Sequence, residues 1–136
     1  MGESGQGRRR ESQLVNPVYY SVLKTKDIKV PLRDGTMGAH VAYPERPPGG
    51  AIIAIMEIWG VNDTMRPHAQ EVGAAGFVCL VPDLFWRQEP GVELSDADPA
   101  HVKKAFDLYY DFDYDLGVRD MEDTWRYLRT REECNG

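Results

Sequence analysis

Ala51-Ile52-Ile53-Ala54-Ile55-Met56-Glu57-Ile58-Trp59-Gly60-Val61-Asn62 is the stretch whose reading decides the fold. Six apolar residues in succession read as a strand over 51–57 buried on both faces, as in a parallel sheet. A carboxylate where such a strand ends is expensive to bury unless it is paired. In open parallel sheets, ligands bind just outside the carboxyl ends of the strands. Glu57 is therefore a candidate site residue. The alternative is a carboxylate that has simply reached solvent or caps the next helix.

The flanking sequence supports a βαβ unit. Asn62 or Asp63 can cap a helix running to about Ala75, which Gly76 stops. Phe77 to Val81 then reads as a second strand, ended by Pro82-Asp83. Strand, helix and strand at this spacing imply a right-handed crossover and parallel strands. Upstream, residues 26–32 and 37–43 read as a hairpin turning at Asp34-Gly35. Pro44 to Gly50 is a surface loop. Downstream, 84–97 reads as an irregular loop. Asp98-Pro99 then starts a helix carrying Val102, Phe106, Tyr109 and Tyr110. A further helix carries Leu116, Met121, Trp125 and Leu128 on one side, as a sheet-covering helix would. Residues 1–17 read as a disordered leader and 18–136 as folded. Asn135-Gly136 reads as a turn, and a further strand is expected after it.

Composition narrows the function. The net charge is −6, which argues against generic nucleic-acid binding. Residues 1–50 hold eight Lys/Arg against five Asp/Glu, while 51–136 hold eight against seventeen. The acid between Glu93 and Asp123 reads as a solvated helical face. The two cysteines, Cys79 and Cys134, make no disulfide framework and suit a reducing compartment. No stretch approaches the length of a membrane span, and Arg8-Arg9-Arg10 leads into no apolar segment. A cytoplasmic location is expected, with no nucleic-acid or membrane partner.

Glu57-Ile58-Trp59-Gly60-Val61-Asn62 followed by Val81-Pro82-Asp83-Leu84-Phe85-Trp86-Arg87-Gln88-Glu89-Pro90-Gly91 resembles the dienelactone hydrolase (carboxymethylenebutenolidase) family. Asp34-Gly35 and Phe112-Asp113-Tyr114-Asp115 resemble it as well. The resemblance covers about residues 26–136 and corresponds to the N-terminal half of the family domain. It implies a partial α/β-hydrolase fold: a β-hairpin, a βαβ unit and sheet-covering helices, lacking the nucleophile strand and everything after it. The implied strand order is 1-2-4-3. The free side of strand three should then pair with the nucleophile strand, and left open it invites self-association.

The resemblance also assigns roles. The family nucleophile is a cysteine in a G-x-C-x-G elbow, followed by an aspartate and a histidine. None of the three falls within this chain. Cys79 lies mid-strand as an inert thiol, and Cys134 has no elbow around it. His40, His68 and His101 read as ordinary surface or helix residues. Glu57 matches the family glutamate that contacts the cysteine, where its charge disfavours thiolate until substrate arrives. The Ile58 backbone N–H matches an oxyanion-hole donor. Arg87 matches an arginine that binds the substrate carboxylate, and a planar guanidinium suits that task. Trp59 and Tyr43 could line the pocket or belong to the core. Met56 departs from the pattern, where a polar neighbour of Glu57 is more usual. The expected reaction is hydrolysis of a carboxylate-bearing lactone or ester, with no cofactor and no metal. The alternative is a non-catalytic fragment serving at most as a binding or assembly module.

Two further motifs lead nowhere. Asp111 to Glu122 resembles a calcium loop, but Leu116 stands where the loop needs glycine. Asn62-Asp63-Thr64 matches a glycosylation acceptor, but at a helix cap and without a secretion signal.

Overall fold

The computed structural model describes residues 23–136. The 1–17 leader and the domain start at 18 lie outside the described residues. The elements are β1 (Thr25–Leu32), β2 (Gly35–Ala42), β3 (Ala51–Ile53), α1 (Met65–Ala74), β4 (Val78–Pro82), α2 (Pro99–Tyr110) and α3 (Tyr114–Leu128). They form one four-stranded sheet in the order β1-β2-β4-β3. The hairpin pairs antiparallel from Thr25↔Ala42 to Leu32↔Gly35. β3 runs parallel to β4 from Ala51↔Val78 to Ile53↔Leu80. The βαβ unit and the 1-2-4-3 order are those expected, and the architecture is a partial α/β fold.

Alternation along the strands divides the core. On β4, Cys79 and Val81 face one layer with Met65 and Ala69 of α1. Val78 and Leu80 face the other, with Val30, Met37, Val41 and Leu128 of α3. Every β4 side chain is buried, as a central strand covered on both faces requires.

The strand expected over 51–57 is shorter. Its ladder closes with Ala54 N–H donating to Leu80 O at 2.9 Å. The next bond in a parallel ladder would come from residue 82, and Pro82 has no N–H to give. β3 is also an edge strand rather than one buried on both faces, with Ile52 37% and Ile55 61% exposed. Its outer edge is engaged only at the start. Gly49 N–H donates to Glu133 O, Asn135 N–H to Gly49 O and Ala51 N–H to Gly136 O. Asn135-Gly136, expected as a turn, instead lies beside residues 49–51, with Cys134 bridging Gly49 in parallel.

Of the side expected to cover the sheet on α3, Leu128 is buried and Met121 packs against the core, but Trp125 is not buried. On α2 only Ala105 is buried, while Phe106, Tyr109 and Tyr110 are exposed. On α3 the inward face is Gly117, Asp120, Asp123, Thr124 and Leu128, and Trp125 is exposed. The expected solvated acidic face therefore hides two aspartates, because arginines from the hairpin and from the loop after β4 meet them. Arg33 donates Nη2–H to Asp123 Oδ1 at 2.6 Å and its backbone N–H to Oδ2 at 3.0 Å.

That pairing sets an acid limit. The Arg33 guanidinium holds the Asp123 carboxyl down at about 2. An unfolded aspartate titrates near 3.9. Stability from this pair is therefore complete above the unfolded value and is lost as pH falls through the folded one. The drop in urea midpoint between about pH 5 and pH 2.5 should shrink in Asp123→Asn. An undiminished drop would refute the assignment.

Candidate active site

Glu57 to Gly60 forms a tight turn closed by Gly60 N–H donating to Glu57 O at 3.2 Å. The turn lies past the carboxyl end of β3. In such a turn the second residue's N–H points outward and takes no part in closure. The Ile58 N–H accordingly donates to no acceptor among the described residues. Glu57 is exposed and Ile58 half-buried, so a carboxylate and an open backbone donor sit side by side.

The turn is clamped to the loop after β4. Leu94 N–H donates to Trp59 O at 2.8 Å, and Asn62 Nδ2 donates to Leu94 O at 3.0 Å. Asn62 Oδ1 accepts from Thr64 N–H and Met65 N–H, both at 3.2 Å, just ahead of α1, whose N-cap is Thr64 rather than the expected Asn62 or Asp63. A single side chain thus ties the turn, the helix and the facing loop together. Gly60 makes the close approach possible at φ +84°, where an added Cβ would meet Val92 O at 1.9 Å.

Between these segments lies a cavity of about 470 Å³, lined by Glu57, Trp59, Asn62, Leu94, Asp96 and His101 among others. Its size falls in the range of small-molecule sites. Glu57 and Trp59 both line it; Ile58 does not. His101, read from the sequence as ordinary, shares the cavity. Its Nδ1 accepts from Ser95 N–H at 3.1 Å, and Nε2 lies 3.7 Å from Asp98 Oδ2. It lies in the first turn of α2 with its side chain 40% exposed, and its place at the cavity depends on the 93–96 segment packed beside it, which has no sequence period.

Arg87 does not line this cavity. Its Nε and Nη2 grip Asp120 at 3.1 and 2.7 Å, and its Nη1 and Nη2 grip Asp34 at 2.9 and 2.8 Å. Four of the five guanidinium N–H groups are taken. The hydrogen bond from Arg87 in turn draws Asp34 below its ordinary range. Tyr43 packs in the core layer under α3. Met56 is buried in the other layer.

The cysteines sit where nucleophiles do not. Cys79 is fully buried in β4, and burial pushes its thiol up to about 11. Cys134 is half-buried, and its thiol is also raised, chiefly by burial.

The profile of the dienelactone hydrolase family matches residues 37–136. The chain belongs to this family. Among curated relatives, it is 36% identical over 113 residues to carboxymethylenebutenolidase of Pseudomonas putida, covering 82% of this chain and 48% of the relative. It is 33% identical over 102 residues to carboxymethylenebutenolidase 1 of Cupriavidus pinatubonensis, covering 75% and 44%. The chain thus spans about half the length of the curated relatives it matches. A Klebsiella pneumoniae structure assigned to the dienelactone hydrolases superposes with TM-score 0.68 at 20% identity, covering 81% of this chain and 45% of the other. That likeness is one of fold. Among the described residues, no helix is long and apolar enough to cross a membrane.

Proposed function

We propose that this chain carries the glutamate and one oxyanion donor of a dienelactone hydrolase whose cysteine nucleophile lies outside these residues. The reaction is hydrolysis of a carboxylate-bearing lactone or ester through an acyl-enzyme. The observation that carries this reading is the Glu57–Gly60 turn, in which the Ile58 N–H is uncommitted and the neighbouring Glu57 and Trp59 line a cavity that Ile58 itself does not line. An N–H fixed in a clamped turn is a preorganised donor for a developing oxyanion. Glu57 would sit against the thiol and disfavour its ionisation until a substrate displaces it. Neither cysteine of this chain lines the Glu57 cavity, and Cys79 is fully buried in β4.

Arg87 enters the reading through exchange of partners. A substrate carboxylate would have to displace Asp34, the more exposed of its two partners at 37% against 2% for Asp120. Arg119 also holds Asp34 and would retain it after Arg87 leaves.

The 136-residue chain should show no lactone or ester turnover. A longer product supplying a G-x-C-x-G elbow should hydrolyse both, with Glu57→Ala altering the pH profile of thiol reactivity. Turnover by the short chain that survives stringent purification and disappears in Glu57→Ala would overturn the proposal.

A further inference from the structure

A second cavity, an open groove of about 480 Å³, lies between the end of β1 and the end of α3. It shares no lining residue with the cavity beside Glu57. Its walls hold three arginines, Arg33, Arg126 and Arg131, against one carboxylate, Asp123. Three guanidiniums against one carboxylate leave two positive charges in excess, on a chain whose net charge is −6.

Each guanidinium is anchored on one side and open on the other. Arg33 donates Nε–H to Asp123 Oδ2 at 3.0 Å and one Nη2–H to Oδ1 at 2.6 Å. The far edge, made of Nη1 and the second Nη2–H, donates to no acceptor among the described residues. The Arg33 side chain is 43% exposed, so that edge meets solvent. Arg126 gives one Nη1–H to Asp123 Oδ1 at 3.3 Å and is 63% exposed. Arg33 and Arg126 thus reach the same oxygen and converge on one point of the groove. Arg131 donates Nε–H to Thr130 Oγ1 at 3.2 Å and lies 4.8 Å over the Tyr127 ring, which leaves both of its Nη groups open. A guanidinium held along one edge presents the other as a ready fork for a second oxyanion. The anchoring also spares part of the ordering cost that a free arginine meets on binding.

Two excess charges suit a dianion. Several open forks suit more than the two oxygens of a single carboxylate. A phosphate monoester meets both conditions. Pro31, Leu32 and the Tyr127 ring add apolar wall for an organic part, and the volume is that of a small-molecule site. We propose that this groove binds a small phosphate monoester with an apolar or aromatic group, its oxygens accepting from the open edges of Arg33 and Arg126, with Arg131 completing the charge. Glu122 lies 3.8 Å from Arg33 Nη2 at an exposed position and competes for the same edge.

The test titrates phenyl phosphate into the 136-residue chain while following arginine Nε–H and backbone amide resonances by NMR. Saturable shifts are expected at Arg33, Arg126 and Arg131. Benzoate, with one charge and two oxygens, should bind at least about tenfold weaker. Inorganic phosphate should also bind more weakly, for want of the apolar part. Arg126→Gln and Arg131→Gln should each lower affinity about tenfold with the rest of the spectrum retained, since both side chains are exposed. Glu122→Gln should tighten binding, whereas a cation-binding groove would lose affinity with that change. Absent or non-saturable shifts, shifts confined to Arg87, equal binding of benzoate or inorganic phosphate, or indifference to both arginine variants would overturn the proposal. A tyrosine-phosphorylated peptide bound about tenfold tighter than phenyl phosphate would place the ligand on a protein partner and overturn the small-molecule assignment. Where self-association broadens the spectra, a ligand-dependent rise in melting temperature with the same rank order decides it.

Discussion

Gly60→Ala is expected to destabilise the chain by on the order of 3 kcal/mol or more, and to open the cavity beside Glu57. Two effects add. The backbone there has φ +84°, which L side chains rarely adopt. The new Cβ would also stand 1.9 Å from Val92 O, a backbone atom that cannot swing away. The 57–60 turn and the 92–94 segment must therefore separate, and the bond from Leu94 N–H to Trp59 O goes with them. Chemical denaturation would give the loss of stability. Faster amide exchange at Leu94 would localise it. Gly91→Ala is the control, because its φ is also positive but no atom lies within 4 Å of the added Cβ. Equal effects at the two positions would show that backbone strain alone is responsible and would sink the clamp argument.

Asp120→Ala is expected to cost about 3 kcal/mol, near the lower end for removing one member of a buried pair. Asp120 is 1% exposed and receives Trp86 Nε1–H at 3.0 Å together with two Arg87 bonds. Its loss leaves an indole donor and a guanidinium facing an apolar layer. Asp34→Ala removes a carboxylate from the same arginine but at an exposed position, so its effect should stay below about 1 kcal/mol. Trp86 packs against Gly35 of the hairpin turn, so its fluorescence reports whether the hairpin stays docked. If the two alanine variants destabilise equally, Asp120 is not the keystone of this network.

Local signals made much of this legible in the chain. Asp98 caps α2, and Asn62, although the N-cap position of α1 falls at Thr64, accepts the Thr64 and Met65 N–H groups at the helix start. Asp34-Gly35 turns the hairpin. Residues 51–53 and 78–80, from the two apolar runs, pair in parallel, with a helix as the crossover that a parallel pair requires. Helix faces were less legible. Trp125 looks inward by hydrophobicity, yet Asp120 and Asp123 take inward positions of α3. Hydrophobic periodicity cannot see a carboxylate whose partner lies 90 residues away, as Arg33 does from Asp123.

The same distinction runs through the site. Motif and spacing alone put Glu57 a few residues past a parallel strand, with Ile58 next to it in a tight turn. Both properties are local, since they depend on where a strand stops and how the next few residues turn. Only the tertiary structure decided the company these residues keep. It put His101 into the Glu57 cavity and committed Arg87 to Asp34 and Asp120. It also sank His40, expected at the surface or on a helix, into β2 beside Asp27. Each of these outcomes depends on which charges find partners at long range. Burial of a charge is decided by the geometry of its partner rather than by its own sequence neighbours.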